Sequence, residues 1–361
     1  TLSYANSTNG VYVNIGTTAI SGIDIDGDGD IDNIAASTGT GTGLGVDTVT
    51  NFDDILGGNA SDTLVGDANS NTLNGGAGDD ILVGAGGADS LIGGTGNDTV
   101  SYATDSAGIN VSLRNGNGID GSGSTDNYDS IENVLGSSSN DTIEGDSGNN
   151  ILNGGAGTDT LTYESSSTGV TVNLSITSQQ NTVNEGLDTI SNFENLTGSL
   201  GSDSLTGDDN VNVINGKSGN DYIVGGKGAD SLYGDVGNDT FIINDGDGND
   251  IINGYLDGQS DGSTDGSSSS DTVDFSSLSN KISVDLATNN NAIISDATNT
   301  TLATLSLTNI ENIIGTNHDD TLIGNAEINT LVGGDGDDEI TGNGGADKLE
   351  GNDGDDTFKG S

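Results

Sequence analysis

GGNASDTLV GDANSNTLN GGAGDDILV GAGGADSLI GGTGNDTVS, residues 57–101, is the stretch that decides the fold of this chain. It divides without remainder into five nonapeptides, and an apolar residue recurs at every ninth position from Leu64 to Val100. Each nonapeptide opens on glycine and other turn residues and closes on three residues centred on that apolar position, a pattern typical of a turn followed by a short strand. A fixed period over successive units indicates a repeat architecture.

Three further blocks, 136–162, 198–242 and 315–359, keep the same frame and bring the total to eighteen nonapeptides. Their apolar residues, at the eighth position, are Ile143, Leu152, Leu161, Leu205, Ile214, Ile223, Leu232, Phe241, Leu322, Leu331, Ile340, Leu349 and Phe358. The 61 glycines leave no uninterrupted stretch with the 3.6-residue period of a helix. The sequence therefore predicts an all-β protein.

A second, longer repeat lies between the blocks. Tyr4, Tyr102, Tyr163 and Phe275 are each followed at +7, +9 and +11 by apolar residues, and this period of two predicts a half-buried strand. Each such segment ends in a shared four-residue phrase, at 52–55, 131–134, 193–196 and 310–313. The apolar residues are Val11, Val13 and Ile15; Ile109, Val111 and Leu113; Val170, Val172 and Leu174; and Ile282, Val284 and Leu286.

These repeats predict four modules. They are 1–101, with an insert-bearing segment 1–56 and the block 57–101; 102–162, with the block 136–162; 163–242, with the block 198–242; and 243–361, with the block 315–359. Thr1–Tyr4 reads like Thr99–Tyr102, so we expect the chain to be a fragment of a longer protein in which a further repeat precedes it.

The charge of the chain requires a cation. There are 57 Asp and Glu residues against 6 Lys and Arg, a formal net charge of -51, while only 30% of residues are hydrophobic. A chain of this composition does not bury enough apolar surface to offset its conformational entropy. With no cysteine and one histidine, disulfides and structural zinc are excluded, whereas carboxylates and backbone carbonyls suit Ca²⁺. The acidity also argues against nucleic acid and against anionic membrane surfaces as partners, and no apolar run is long enough for membrane insertion.

The nonapeptides fit the pattern G-G-x-G-x-D-x-U-x, and the chain resembles the RTX, or haemolysin-type calcium-binding, family. The resemblance implies right-handed parallel β-roll blocks, in which two nonapeptides complete one coil and several Ca²⁺ ions fill the turns. Strand-rich modules would separate the blocks. It also implies type I secretion, with the chain folding on calcium outside the cell.

We expect the ligands in turns that combine Asp at position six with Gly at position four. The aspartates are Asp80, Asp89, Asp98, Asp159, Asp221, Asp230, Asp239, Asp338, Asp347 and Asp356. The glycines of these turns are Gly76, Gly78, Gly155, Gly157, Gly219, Gly226, Gly228, Gly237, Gly334, Gly336, Gly345 and Gly354. Additional candidate ligands are Asp24, Asp26, Asp28, Asp30, Asp62, Asp141, Asp203, Asp245, Asp247, Asp250 and Asp320.

Three features of the acidic segments modify this expectation. The second nonapeptide of every block carries Asn at position six (Asn71, Asn150, Asn212 and Asn329), and we expect weaker calcium binding there because the charge is lost. Asp24–Asp30 resembles the start of an EF-hand loop but has Ala35 at the twelfth position; a looser calcium loop and a solvated insertion both remain open. Asp245–Asp250 breaks the nine-residue frame and closes the third roll with a candidate irregular site.

No catalytic constellation is evident. The single histidine, His318, lies in a turn, and carboxylate pairs carry no information among so many acids. The favoured function is a calcium-dependent structural or assembly region of a secreted bacterial surface protein, in a surface layer or a large adhesin, with copies of itself as partners. The alternative is the secretion and folding region of an extracellular enzyme or toxin whose catalytic domain lies elsewhere in the protein.

Overall fold

The computed structural model describes residues 1–16, 52–255, 270–288 and 290–359, and the backbone of four strands between residues 20 and 48. The chain forms two compact units. Unit 1 comprises Thr1–Thr162 and Ile176–Phe193, and unit 2 comprises Tyr163–Ser175 and Glu194–Ser361. The described residues contain strands and turns but no helix, so the predicted all-β parallel β-roll is confirmed.

Most strands are three residues long, as the last three positions of each nonapeptide predict. The first nineteen are β1 (Leu2–Ser3), β2 (Val11–Asn14), β3 (Ile20–Ile23), β4 (Asp32–Ile34), β5 (Thr38–Gly41), β6 (Gly45–Thr48), β7 (Asp54–Leu56), β8 (Thr63–Val65), β9 (Thr72–Ala77), β10 (Ile81–Val83), β11 (Ser90–Thr95), β12 (Thr99–Ser101), β13 (Asn110–Ser112), β14 (Asn117–Ile119), β15 (Thr125–Asp129), β16 (Asn133–Leu135), β17 (Thr142–Glu144), β18 (Ile151–Asn153) and β19 (Thr160–Thr162).

The remaining strands continue the same pattern. They are β20 (Thr171–Asn173), β21 (Gln180–Asn181), β22 (Leu187–Ser191), β23 (Asn195–Thr197), β24 (Ser204–Thr206), β25 (Val213–Asn215), β26 (Tyr222–Val224), β27 (Ser231–Tyr233), β28 (Thr240–Ile242), β29 (Ile251–Asn253), β30 (Thr272–Asp274), β31 (Lys281–Asp285), β32 (Asn291–Ser295), β33 (Thr301–Thr308), β34 (Asn312–Ile314), β35 (Thr321–Ile323), β36 (Thr330–Asp335), β37 (Glu339–Thr341), β38 (Lys348–Asp353) and β39 (Thr357–Lys359).

Two nonapeptides complete one coil. In unit 1, Leu82 of the third repeat pairs in parallel with Leu64 of the first repeat, while Leu91 of the fourth pairs with Leu73 of the second. Odd and even repeats therefore build two separate parallel sheets. Unit 2 repeats the arrangement, with β24, β26 and β28 in one sheet and β25 and β27 in the other.

The core is the space between the two sheets, and position eight fills it. Sixteen of the eighteen position-eight residues have 0% exposure. The two exceptions belong to the last coil described, where Leu349 is partly exposed and Phe358 is 50% exposed. Each buried aliphatic side chain contributes roughly 1.5–3 kcal/mol of hydrophobic stabilisation. Each nonapeptide thus places a single position-eight side chain in the core, which is little apolar burial for a chain of net charge -51.

Two of the segments between blocks continue the stack by means of three-stranded meanders. In unit 1, β14 pairs antiparallel with both β13 and β15, while β13 pairs in parallel with β17 of the second block and β15 with β11 of the first. In unit 2, β31, β32 and β33 join β35 to β29 in the same way. All twelve apolar residues predicted at +7, +9 and +11 are buried.

The shared phrase supplies one further rung to each stack. In unit 1, β16 lies between β12 and β18, in parallel with both, and in unit 2, β34 lies between β30 and β36. The inter-block segment after Thr162 contributes strands to both units: β20 pairs with β24 in unit 2, whereas β22 pairs with β18 in unit 1. The four-module division stays a prediction about the sequence repeat.

Candidate metal-binding turns

The turns of stacked repeats are connected through position six. The backbone N–H of Asp62 donates to Oδ1 of Asp80 at 2.7 Å, and the N–H of Asp80 donates to Oδ1 of Asp98 at 2.8 Å. All ten aspartates expected as ligands accept a bond of this kind from the turn one coil earlier, at 2.7–3.1 Å. One carboxylate oxygen per turn therefore holds neighbouring coils in register.

The eighteen turns fall into two classes by backbone conformation. In the ten turns of repeats three to five, positions two and four both have positive φ, as at Gly76 (106°) and Gly78 (120°). We call these the open turns, and they are the ten turns singled out from the sequence. In the eight turns of repeats one and two, which we call the closed turns, neither position has positive φ.

Left-handed backbone at position two occurs even where the residue is not glycine. The non-glycine residues there are Ala85, Lys217, Asp235, Asn343 and Asn352, with φ between 63° and 76°. This conformation costs an L-residue roughly 1–2 kcal/mol. Since strained backbone of this kind persists only where its surroundings impose it, the left-handed conformation at position two is imposed by the coil and not by the residue at that position.

Seven of the open turns have a buried carboxylate oxygen that accepts no hydrogen bond from the described residues. In each of these turns the oxygen is Oδ2 of the position-six aspartate. These residues are Asp80, Asp89, Asp98, Asp221, Asp230, Asp239 and Asp338. An unpaired buried oxygen of this type costs about 1–3 kcal/mol, and more when it is charged.

Burial raises the pKa of these carboxyl groups. Together with the charges of Asp62 and Asp98, it raises the pKa of Asp80 to about 7. Burial likewise raises the pKa of Asp221 to about 8, with Asp239 and Asp203 adding to the effect. The pKa rises to about 7 at Asp89 and Asp230 and to about 6 at Asp98, Asp239 and Asp338, again through burial. A protein without a counter-cation would hold protons here near neutral pH.

The aspartates of the first repeats are in a different state. Asp62, Asp141, Asp203 and Asp320 were additional candidates from the sequence. In each of them Oδ2 accepts the N–H of position two of its own turn, at 2.5–2.7 Å, and Oδ1 accepts the N–H of the preceding inter-block segment, at 2.7–2.9 Å. Both carboxylate oxygens are thus bound by the protein itself.

The asparagines of the second repeats are also fully bound. Oδ1 of Asn71 accepts the N–H of Asp67 at 2.7 Å, and Nδ2 donates to the carbonyl of Asp53 at 2.9 Å. Asn150, Asn212 and Asn329 make the same two bonds, with Nδ2 donating to the carbonyls of Glu132, Glu194 and Glu311. Each acceptor is the second residue of the shared phrase. The amide is needed because a carboxylate has no N–H to donate.

The open turns fit calcium by the chemistry of their donors. A Cβ at Gly75 would overlap Oδ2 of Asp80, and a Cβ at Gly94 would overlap the carbonyl oxygen of Gly76. Buried carboxylate oxygens and rows of backbone carbonyls therefore occupy the same turns, and hard oxygen donors are what Ca²⁺ prefers. Among the described residues, no three His, Cys, Asp or Glu side chains form a group that could hold a metal ion.

The two irregular acidic segments differ in what the structure says about them. Asp24, Asp26, Asp28 and Asp30 lie outside the described residues. In the segment 245–250, Asp250 takes the position-six place, since its Oδ1 accepts the N–H of Asp230 at 2.9 Å. Asp247 accepts the N–H of Asn244 at 2.7 Å, and burial raises its pKa to about 6. Asp245 lies at the surface and accepts the N–H of Ser279 at 3.1 Å.

Sequence reasoning missed the acidic residues by which inter-block segments continue the stacks. Asp126, Asp188 and Asp271 accept the N–H groups of Asp89, Asn150 and Asp239 at 2.8–2.9 Å. Glu132 and Glu311, in the shared phrase, accept those of Asp98 and Asp271. The signal was present, because each of these aspartates stands two residues before an inward-facing residue, as position six stands before position eight.

The residues weighed for other chemistry have structural surroundings. His318 is exposed in its turn, and its N–H donates to the hydroxyl of Thr316 at 3.1 Å. Tyr102, Tyr163 and Phe275 are buried, as packing residues would be. The hydroxyl of Tyr102 donates to Oδ2 of Asp126 at 3.0 Å.

The family described as RTX calcium-binding nonapeptide repeat (4 copies) matches the chain at 56–91, 65–100, 128–163, 191–223, 206–241, 314–349 and 332–361. The chain belongs to the RTX calcium-binding repeat family. The RTX matches cover all four nonapeptide blocks, and with them all ten open turns. No curated protein matches the chain. Within the residues that the structure describes, this RTX chain has no helix of the length and apolar character needed to span a bilayer.

Proposed function

We propose that the ten open turns bind Ca²⁺ and that this binding folds the chain. The ligands are the position-six aspartates, Asp80, Asp89, Asp98, Asp159, Asp221, Asp230, Asp239, Asp338, Asp347 and Asp356, with carbonyl oxygens of the glycine positions in the same turns. The observation that carries the proposal is the set of seven buried Oδ2 atoms that accept no hydrogen bond among the described residues. Asp250 with Asp247 forms a further, irregular site beside Asp230.

The residues of this chain explain why binding and folding are coupled. Each open turn places one carboxylate between two coils, where Oδ1 holds the N–H of the earlier coil. In seven of the turns Oδ2 is buried, and a bound cation would compensate the charge of the carboxylate. Ligands from separate coils come together only in the folded chain, so the free energy of metal binding becomes free energy of folding.

The first prediction concerns folding by calcium. In excess chelator at neutral pH, far-ultraviolet circular dichroism should show a disordered chain. Addition of Ca²⁺ to about 10⁻⁴–10⁻³ M, the range of extracellular calcium modules, should produce β-structure cooperatively. Mg²⁺ at the same concentration should substitute poorly, because it releases its water reluctantly. A stable β-signal in chelator at neutral pH would falsify the proposal.

We further propose that the protein is secreted, by type I secretion, and that this region serves a bacterial surface layer or a large surface adhesin. The absence of Cys, Met, Pro and Trp and the net charge of -51 support an extracellular, calcium-rich setting. Two compact units with long inter-block segments exceed what a minimal folding tag needs. Calcium would then both fold the chain and screen its charge, which favours contacts between copies.

The second prediction follows for the full-length protein. At millimolar Ca²⁺ it should assemble into sheets or cell-bound layers, visible by light scattering and electron microscopy, and should dissociate in chelator. If it stays monomeric at saturating calcium, or shows enzymatic turnover from another domain, the region instead serves the secretion and folding of an enzyme or toxin.

A further inference from the structure

We infer that the first coil of each repeat block is a clasp that needs no calcium. In the clasp, the position-six side chains of repeats one and two bind protein groups and connect the block to the segment that precedes it. The clasp of the block 198–242, formed by Asp203 and Asn212, serves as the example. This role goes beyond the calcium binding proposed for the open turns.

Asp203 forms the first half of the clasp. Its Oδ1 accepts the N–H of Val170 and the hydroxyl of Ser199, both at 2.7 Å, and its Oδ2 accepts the N–H of Ser199, also at 2.7 Å. The residue is 4% exposed. Val170 is the first of the three buried alternating residues, Val170, Val172 and Leu174, of the inter-block segment, so the carboxylate fastens that segment to the first turn of the block.

Asn212 forms the second half. Its Oδ1 accepts the N–H of Asp208 at 2.8 Å, and its Nδ2 donates to the carbonyl of Glu194 at 2.8 Å. The side chain is fully buried. Glu194 lies in the shared phrase, so the amide fastens the phrase to the second turn.

The same contacts occur in all four blocks, with Ser137, Ser199 and Thr316 adding hydroxyl bonds to Asp141, Asp203 and Asp320. The position-two N–H of a closed turn binds the side-chain oxygen that stays unpartnered in the seven open turns. In the closed turns, the backbone N–H of position two thus compensates the side-chain oxygen that a cation compensates in the proposed sites of the open turns. This explains why the second repeat carries an amide, whose Nδ2 meets a carbonyl oxygen.

The test compares Asp203→Asn with Asp221→Asn, one coil later in the same stack, in the complete 361-residue chain. Bound Ca²⁺ per chain is measured by equilibrium dialysis and elemental analysis, and stability by thermal unfolding at saturating calcium. Asp203→Asn should lower the unfolding midpoint, because an NH₂ group in place of Oδ2 would face the N–H of Ser199. It should leave the number of bound ions unchanged, because Asp203 binds no ion in the clasp. Asp221→Asn should lose at least one ion.

Loss of an ion from folded Asp203→Asn would overturn the clasp. If that variant does not fold in calcium, Ser199→Ala decides in its place, since it removes only the hydroxyl bond and should keep every ion. Asn212→Asp adds a carboxylate opposite the Glu194 carbonyl, so it should destabilise the chain without binding an additional ion; an additional ion would contradict the inference. An unchanged ion count in Asp221→Asn would instead refute the proposed calcium sites, independently of the clasp.

Discussion

Position six is used in three ways in this molecule. Asp80 holds the previous coil with Oδ1 and leaves a buried Oδ2 without a hydrogen bond in the described part of the chain, while Asp203 uses both oxygens on protein N–H and hydroxyl groups. Asn71 donates as well as accepts. The backbone conformation of position two separates the open from the closed turns. In the closed turns its N–H donates to the position-six side chain, and in seven open turns the corresponding Oδ2 accepts no hydrogen bond from the described residues.

A prediction at the residue scale concerns Ala85, which has φ 71° at position two of an open turn. Ala85→Gly should stabilise the calcium-bound protein by about 0.5–1 kcal/mol, because relief of left-handed strain outweighs the added entropy of the unfolded chain. Denaturant unfolding at saturating calcium measures the change.

Ala60, at position four of a closed turn without positive φ, provides the matched control. Ala60→Gly should destabilise the protein by roughly the entropic cost of glycine, about 0.5–1 kcal/mol. If both substitutions shifted stability in the same direction, the division of the turns into two classes would have no energetic basis.

At the scale of elements, strands of three residues hold together only as parts of a stack. An isolated pair of such strands is marginal in water, so each needs a neighbour on both sides. The meander β13–β14–β15 and the phrase strand β16 provide those neighbours where the nonapeptides stop. The inter-block segments therefore add strands to the same parallel sheets. An aspartate of such a segment takes the place of position six, as when Asp126 accepts the N–H of Asp89.

At the scale of the whole molecule, the buried carboxylates oppose the thin apolar core. Calcium offsets this opposition in the proposed function, and protonation should offset part of it when calcium is withheld. Folding raises the pKa of Asp80, Asp89, Asp98, Asp221, Asp230, Asp239 and Asp338, so their contribution to stability is present at low pH and is lost as the pH rises through the folded pKa.

The resulting prediction is a pH dependence without calcium. In excess chelator, β-structure measured by circular dichroism should increase as the pH falls from about 8 to about 5. The window follows from folded pKa values between about 6 at Asp98 and about 8 at Asp221, against an ordinary value of 3.8. A calcium-free signal that falls on acidification would contradict the account of buried aspartates.

The sequence by itself determined the period, the strands and the family. The spacing of Leu64, Leu73 and Leu82 is enough to assign position eight to the core, because a turn-and-strand unit of fixed length repeats its inward residue at a fixed interval. All ten turns whose backbone is left-handed at positions two and four carry Asp at position six and Gly at position four, since glycine at position four permits that conformation. The same pair also occurs in the closed turn of Gly201 and Asp203, so the pattern does not separate the two classes by itself.

Only the tertiary structure decided which aspartates are already bound. Asp62 and Asp80 occupy the same place in similar nonapeptides, yet the N–H groups of Val11 and Gly58 bind Asp62 on both oxygens. The difference depends on what lies one coil earlier, an inter-block strand for Asp62 and another repeat for Asp80. The Val11 contact joins residues 51 apart along the chain, and hydrogen bonding between stacked coils is not encoded in any one nonapeptide. The Gly58 contact lies within one turn, but it forms only in the closed backbone conformation of that turn.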